Sequence, residues 1–310
     1  MKAVHVYQYG RPENLTLVDL PKPKIQPNEL LVQNVVAAVN PYDCMVRSGA
    51  MWFMEGFRFP KILGCESAGI VKEVGKKVKQ FKAGDQVIVC TGRRNAYAEY
   101  LAVTEGMVTG LPESVNFSEG ASLPIAGSTA YDALHELGNI QSGQNILIYG
   151  ASGSVGSFAV QLAKLAAAHV TGVCSTSNLS GVKALGADEV IDYTTTDFRT
   201  LNMKFDIIFD TPSVLKFGNV KHLLNRHGTY IATLPSPLTM FYQLISTKGG
   251  KKVKTVFAKP TIQKIDYLST LVYEKKLKVI LDKEYPIEQI AAAHQYSETK
   301  RAKGKIIVKF

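Results

Sequence analysis

The chain has 310 residues, 46% hydrophobic and 20% charged, which suggests two domains at a typical ~100 to 200 residues each and excludes disordered, fibrous and collagenous classes. No run approaches the ~18 apolar residues of a membrane span. The formal charge of +10 is concentrated late: residues 248–310 hold 15 Lys/Arg against 6 Asp/Glu, while the preceding part is nearly balanced, 21 against 20.

The chain opens directly into Val4-His5-Val6-Tyr7, with no charged start, apolar stretch and cleavage site. Residues 1–122 read as β-rich, because short β-branched or alternating runs (Leu30 to Val39, Gly69 to Val74, Gln86 to Cys90, Tyr97 to Val103) are separated by Gly and Pro. From Gln144 the rhythm changes. Asn145 to Tyr149 is a buried-type strand, a glycine turn follows, and Val155 to Ala168 carries Phe158, Leu162 and Leu165 at helical spacing. Val170 to Cys174, a helix over Leu179 to Leu185, Glu189 to Ile191, Phe205 to Phe209, a helix near Phe217 to Leu224, and Thr229 to Leu234 continue the alternation. This pattern predicts an α/β fold with a doubly wound parallel sheet covered by helices on both faces. Beyond Pro260, helices over Ile262 to Glu274 and Ile287 to Ser297 lead to a terminal strand at Lys305 to Val308. The basic clusters Lys248 to Lys254 and Lys275, Lys276 and Lys278 read as solvated surface, and no nucleic-acid motif accompanies them. Cys44, Cys65, Cys90 and Cys174 form no Cys-x-x-Cys pair, so neither disulfides nor a zinc ribbon are encoded and a cytoplasmic location is expected.

The turn Gly150-Ala151-Ser152-Gly153-Ser154-Val155-Gly156 lies between a strand and a helix. Glycines there let the backbone turn tightly and approach a pyrophosphate, which free amides and the positive end of the helix dipole would bind. About twenty residues on, an NAD site normally carries Asp or Glu for the ribose hydroxyls. Here the strand ends Cys174-Ser175-Thr176-Ser177-Asn178, without a carboxylate. Hydroxyls and an amide suit the 2′-phosphate of NADPH, with Lys183, or Lys300 and Arg301, as candidate cations.

Four stretches resemble the medium-chain dehydrogenase/reductase superfamily, specifically its zinc-independent quinone oxidoreductase branch: Ala38-Val39-Asn40-Pro41-Tyr42-Asp43 with Arg47-Ser48-Gly49; Leu63-Gly64-Cys65-Glu66-Ser67-Ala68-Gly69; Leu123 to Tyr131; and Leu185-Gly186-Ala187-Asp188 with Ile191-Asp192-Tyr193. The resemblance implies a GroES-like catalytic domain, residues 1–122 and 261–310, into which a Rossmann NADPH-binding domain, residues 123–260, is inserted, with the active site in the cleft. It also implies that Thr129 lies near the nicotinamide and that Tyr193 helps hold the adenine-side phosphate. Asn40, Cys65 and Ile125 take the positions where zinc-dependent relatives have cysteine, histidine and cysteine ligands, and two of these cannot serve as good zinc ligands.

Ser154 and the Asp210-Thr211-Pro212-Ser213 loop depart from the family pattern, as do Met45 and Met51, which stand where some relatives place tyrosines. None of the six histidines has metal-ligand spacing, and no metal is expected. Glu66 reads as a structural hydrogen-bond anchor or a carboxylate near the cleft, and Trp52, Phe53, Phe57 and Phe59 as core or as pocket wall. The expected activity is direct hydride transfer from NADPH to a small quinone or α,β-unsaturated carbonyl. Asn40 would donate to the acceptor's oxygen, and Tyr42 or solvent would supply the proton. An NADPH-binding structural or interaction protein with little turnover is the alternative, and a homodimer is common in the family.

Overall fold

A computed structural model describes residues 1–246 and 250–310. The chain divides into two compact units, Met1–Ile125 with Pro260–Phe310, and Ala126–Lys259. Among the described residues no helix is long and apolar enough to cross a membrane.

The first unit begins with β1 (Lys2–Val6), antiparallel to β2 (Leu15–Asp19). The long strand β3 (Glu29–Val39) becomes continuously buried over its last four residues, as a strand covered on both faces must. It runs into α1 (Pro41–Ser48). Pro41 supplies the φ of a first helical residue, Asp43 accepts the Asn40 N–H at 2.8 Å, and Gly49 ends the helix at φ +90°. Short pieces follow: α2 (Trp52–Glu55), β4 (Lys61–Ile62), β5 (Glu66–Val74), β6 (Gln86–Cys90), β7 (Tyr100–Thr104), β8 (Val108–Gly110) and α3 (Phe117–Gly120). The β-rich reading of this stretch missed α1 because eight residues with only Cys44 and Val46 as buried apolar side chains give little periodicity.

The second unit contains α4 (Ser128–Tyr131), β9 (Asn145–Tyr149), α5 (Ser154–Leu165), β10 (His169–Cys174), α6 (Leu179–Ala184), β11 (Glu189–Asp192), β12 (Phe205–Asp210), α7 (Phe217–Val220), β13 (Leu224–Ala232), α8 (Pro237–Ile245) and β14 (Lys252–Thr255). Its six strands are all parallel, in the order β11-β10-β9-β12-β13-β14. The chain reverses direction across the sheet beside β9, and the crevice at the carboxyl end of such a switch point is where open α/β sheets bind ligands.

Two sequence expectations are corrected here. The helix expected near Phe217 to Leu224 ends at Val220 and tightens into a 3₁₀ turn, and the next strand already begins at Leu224, opposite Phe205. Part of the basic cluster is a sixth strand: Val253 is buried, the lysines at 252 and 254 flank it with period two, and Lys254 Nζ donates to the Leu137 carbonyl at 2.7 Å. Lys248 lies outside the described residues. The apolar helix α8, which Pro237 opens, was not read from the sequence.

The chain then returns to the first unit through α9 (Ile262–Tyr273), β15 (Leu281–Pro286), α10 (Ile290–Glu298) and β16 (Lys305–Lys309). β16 pairs antiparallel with β3, Ile306 opposite Val39, so the seven-stranded sheet reads β15-β16-β3-β5-β6-β8, with β7 also on β3. This register sets Lys305 beside Asn40.

Candidate active site

The turn after β9 is shaped by contacts between backbones. Gly150 has φ +77°, where an L side chain is strained, and a Cβ there would meet Thr211 Oγ1 at 2.6 Å. A Cβ on Gly156 would lie 2.1 Å from the Gly150 carbonyl oxygen, so this glycine lets α5 pack against its own entry turn. Gly150 and Ala151 are tied to the sheet by N–H bonds to the Val173 carbonyl at 3.0 and 3.1 Å. Gly153 caps α5 with extended backbone, and the first intrahelical bond runs from Ser157 N–H to Gly153. The amides of Ser154, Val155 and Gly156 therefore have no helical acceptor, at the positive end of a twelve-residue helix. Ser154 Oγ is buried without a hydrogen-bond partner. An open N-terminal turn with an orphaned hydroxyl fits a bound pyrophosphate, and Ser154, a departure from the family pattern, keeps that fit.

At the end of β10, Asn178 bridges the turn to the strand, its Nδ2 donating to Ser152 Oγ at 3.1 Å and Ser175 Oγ at 3.0 Å. The Thr176 hydroxyl donates to Asp192 Oδ2 at 2.5 Å and pairs with Thr194 Oγ1 at 2.9 Å. Thus a carboxylate does stand at this end of the sheet, carried by the neighbouring strand. The Thr176 hydroxyl, with Thr194, holds Asp192 below the usual carboxylate range. Ser177 is exposed. Tyr193 is half exposed, with its ring centroid 6.1 Å from that of Tyr149.

Lys183, a candidate cation for the 2′-phosphate, is turned toward β11. Its Nζ donates to the Asp188 carbonyl at 2.6 Å, just before β11 and four residues from Asp192, so at ~3.3 Å per residue it sits toward the opposite end of the strand from Thr176. It clamps the turn between α6 and β11. Lys300 belongs to the first unit, in a turn after α10 at φ +58°. Thr129 is buried in α4, which lies between two π-type turns, and Ser128 Oγ beside it is buried without a partner. Asp210 anchors the departing loop, accepting from Leu215 N–H at 2.7 Å and Tyr230 Oη at 2.8 Å, and burial pushes its carboxyl up to about 6.

In the first unit, Asn40, Glu66 and Lys305 form one buried cluster. Asn40 Nδ2 donates to Glu66 Oε1 at 2.9 Å, Lys305 Nζ donates to Asn40 Oδ1 at 2.6 Å, and Lys305 lies 2.5 Å from Glu66 Oε1. Glu66 Oε2 accepts the Ile125 N–H at 2.7 Å, which makes Glu66 the anchor of the cluster. The Cys65 thiol donates to Asp43 Oδ1 at 3.3 Å, and burial first, then Asp43, raises it well above its ordinary value. Asp43 also accepts from Tyr97 Oη at 3.2 Å and is pushed up to about 6 by burial.

Tyr42, read as a proton donor, is half-buried beside Glu55. Its hydroxyl gives its one proton to Glu55 Oε1 at 2.9 Å, and burial together with that bond holds the phenol above its ordinary value. Arg94 Nε lies 3.2 Å from Glu55 Oε2. The aromatic segment divides: Phe59 packs into the core with its ring 4.9 Å from Tyr9, while Trp52, Phe53 and Phe57 are exposed.

Sequence reasoning missed Lys305, Glu55 and Asp192. A lysine opening the otherwise apolar run Lys305-Ile306-Ile307-Val308 was the available signal for the first. For Asp192 it was the carboxylate one strand over from Cys174.

The fold and the phosphate turn define an oxidoreductase that uses a nicotinamide cofactor. Residues 26–113 match the alcohol dehydrogenase GroES-like domain and residues 185–308 the zinc-binding dehydrogenase domain. The chain is 36% identical to the chloroplastic quinone-oxidoreductase homolog of Spinacia oleracea, over 99% of this chain and 98% of that one. It is 30% identical to the NADPH-dependent alkenal/one oxidoreductase of Arabidopsis thaliana, over 99% of this chain and 79% of that one. The solved quinone oxidoreductase of Coxiella burnetii superposes with a TM-score of 0.90 at 29% identity, covering 100% and 99% of the two chains. The chain belongs to the medium-chain dehydrogenase/reductase superfamily, in its quinone oxidoreductase branch.

Proposed function

We propose that this enzyme is an NADPH-dependent reductase of quinones or α,β-unsaturated carbonyls that works without zinc. The observation carrying this reading is the Lys305 ammonium on Asn40 Oδ1 at 2.6 Å. In zinc-dependent relatives the Asn40 position holds a metal ligand; here its one coordinating oxygen is already given to a side-chain cation, and Ile125 offers no ligand atom. Zinc polarises a carbonyl that is otherwise a poor hydride acceptor, whereas a conjugated acceptor spreads incoming charge over its π-system and needs only hydrogen bonds to its oxygen. The names of the spinach and Arabidopsis relatives point to the same two acceptor classes.

Bound on the Gly150–Gly156 turn, NADPH would supply the hydride. The amides of Ser154, Val155 and Gly156 would hold its pyrophosphate, and the hydroxyls of Ser175 and Tyr193, with Thr176 beside them, would hold the 2′-phosphate end. Thr129 lies against the nicotinamide. Asn40 donates through its remaining N–H to the acceptor's oxygen, and the proton that completes reduction comes from solvent, since the Tyr42 hydroxyl is engaged as donor to Glu55.

NADPH oxidation by a panel of small quinones and enones, with protein purified without added metal, tests the reading. Turnover is expected, unchanged by a chelator. Oxidation of simple alcohols with NADP, alongside no turnover of quinones or enones, would overturn it.

A further inference from the structure

We propose that Lys305 is a positioning residue for the acceptor. With Glu66 it locks the Asn40 amide in the one orientation that presents an N–H, not a carbonyl oxygen, to the reacting oxygen. This rests on the acceptor role of Asn40 given above.

The two ends of an asparagine side chain are nearly isosteric, and only their hydrogen-bond partners decide which way the amide faces. At Asn40 both partners are charged and of opposite sign: an ammonium 2.6 Å from Oδ1 and a carboxylate 2.9 Å from Nδ2. A flipped amide would set NH₂ against the ammonium and a carbonyl against the carboxylate, in a site where Asn40, Glu66 and Lys305 are 3%, 0% and 2% exposed. Little water reaches these groups to screen either repulsion. The amide has two N–H bonds, and the one not given to Glu66 is therefore fixed in direction. A carbonyl in its place would repel the negative charge that gathers on the acceptor's oxygen during reduction.

Three adjacent strands build the lock. Asn40 follows β3, Lys305 opens β16 in the register Ile306 opposite Val39, and Glu66 opens β5 on the other side of β3, with Ser67 opposite Ala37. Glu66 is itself pinned by the Ile125 N–H, so the pair cannot swing away together. A buried ion pair is weak as a source of stability, because desolvation offsets its attraction. Its opposite ends on a single amide give it a use in orientation.

The test compares the parent with Lys305→Met/Glu66→Gln, which removes both charges and leaves neither unpaired, and with Lys305→Arg. Measured are kcat and KM for one quinone and one enone, the NADPH dissociation constant, the thermal midpoint, and the side-chain amide resonances of Asn40 in isotope-labelled protein, assigned by their loss in Asn40→Ala. The double variant should lose about tenfold or more in kcat with NADPH binding unchanged. Its Asn40 amide pair should shift, Asn40→Ala should cost it nothing further, and Lys305→Arg should keep part of the parental kcat. A folded double variant with parental kcat, or one in which Asn40→Ala costs as much as in the parent, overturns the proposal. Should the parent reduce no quinone or enone, the acceptor reading fails by itself. The resonances then still decide the lock, which an unmoved amide pair in the double variant would refute.

Discussion

The hydroxyl of Thr176, at the end of one strand, lies 2.5 Å from the carboxylate of Asp192, at the end of the next. A negative charge thus stands one side chain from where a 2′-phosphate would bind, and Thr176 and Thr194 satisfy both of its oxygens. Asp192→Asn should tighten NADPH several-fold while changing NADH little, because the amide keeps an acceptor for Thr176 and removes the repulsion. Thr176→Asp should weaken NADPH about tenfold, setting a second carboxylate beside Asp192 where the phosphate would bind. Dissociation constants from nicotinamide fluorescence decide both, and equal binding of NADH and NADPH by the parent would refute the NADPH assignment.

Gly156 is the least replaceable glycine of the turn. A Cβ there would sit 2.1 Å from the Gly150 carbonyl and 2.8 Å from Ala151 Cα, both backbone atoms that no rotamer change can clear. Gly153 has only the Gly150 carbonyl near its Cβ position, at 3.4 Å, an ordinary contact. Gly156→Ala should cost about 1 to 3 kcal/mol and abolish tight NADPH binding, and Gly153→Ala should leave the fold intact. Thermal melts of the two variants side by side should separate them, and equal midpoints would show that the turn can relax.

Much of the second unit was legible because hydrophobic periodicity and glycine placement are local. The run Asn145 to Tyr149, the turn after it and the helix spacing of Phe158, Leu162 and Leu165 need no knowledge of distant residues. What escaped depends on pairing. Lys252 to Thr255 looks like solvated charge until β13 lies beside it, and Lys305 looks like a surface residue until its register with β3 puts it next to Asn40. Lys183 shows the same limit: it follows Asn178 by little more than one helical turn, but its side chain runs down α6 to Asp188. Sequence distance is a poor guide to which end of a strand a long side chain serves.

Tyr42 offers a direct test of where the proton comes from. With its hydroxyl donating to Glu55 and its phenol held above the ordinary value, it is a poor acid toward substrate. Tyr42→Phe should therefore keep kcat within about threefold of the parent, while the thermal midpoint falls by the equivalent of about 1 to 3 kcal/mol because Glu55 loses a hydrogen-bond donor in a buried site. A loss of kcat of a hundredfold with an unchanged midpoint would restore Tyr42 as the donor.

Asp210 ties the loop after β12 to Tyr230, and its titration should be visible in stability. Burial raises its folded value from 3.8 to about 6. Between those two values the folded chain keeps a proton that the unfolded chain has released, so Asp210 lowers stability as pH rises through that window, by on the order of 3 kcal/mol in total. Asp43 has the same sign, again from burial. His294, buried beside Cys44 and Tyr97 and lowered to about 3, has the opposite sign: the unfolded histidine takes up a proton below its ordinary value while the folded one does not, so its contribution grows as pH rises. The total curve therefore mixes opposing slopes, and a difference between variants isolates one of them. Asp210→Asn removes the titrating group and can keep one oxygen in the place of Oδ2, which accepts from both Leu215 N–H and Tyr230 Oη, but at every pH it loses Oδ1, the acceptor of Val214 N–H. Relative to the parent, it should be destabilised more at pH about 4.5 than at pH about 7, because only the parent incurs the cost of ionising the buried carboxyl at the higher pH. Thermal or urea unfolding at the two pH values measures this difference, and a gap between variant and parent that does not narrow on going to the higher pH would show that Asp210 is ionised in the fold throughout.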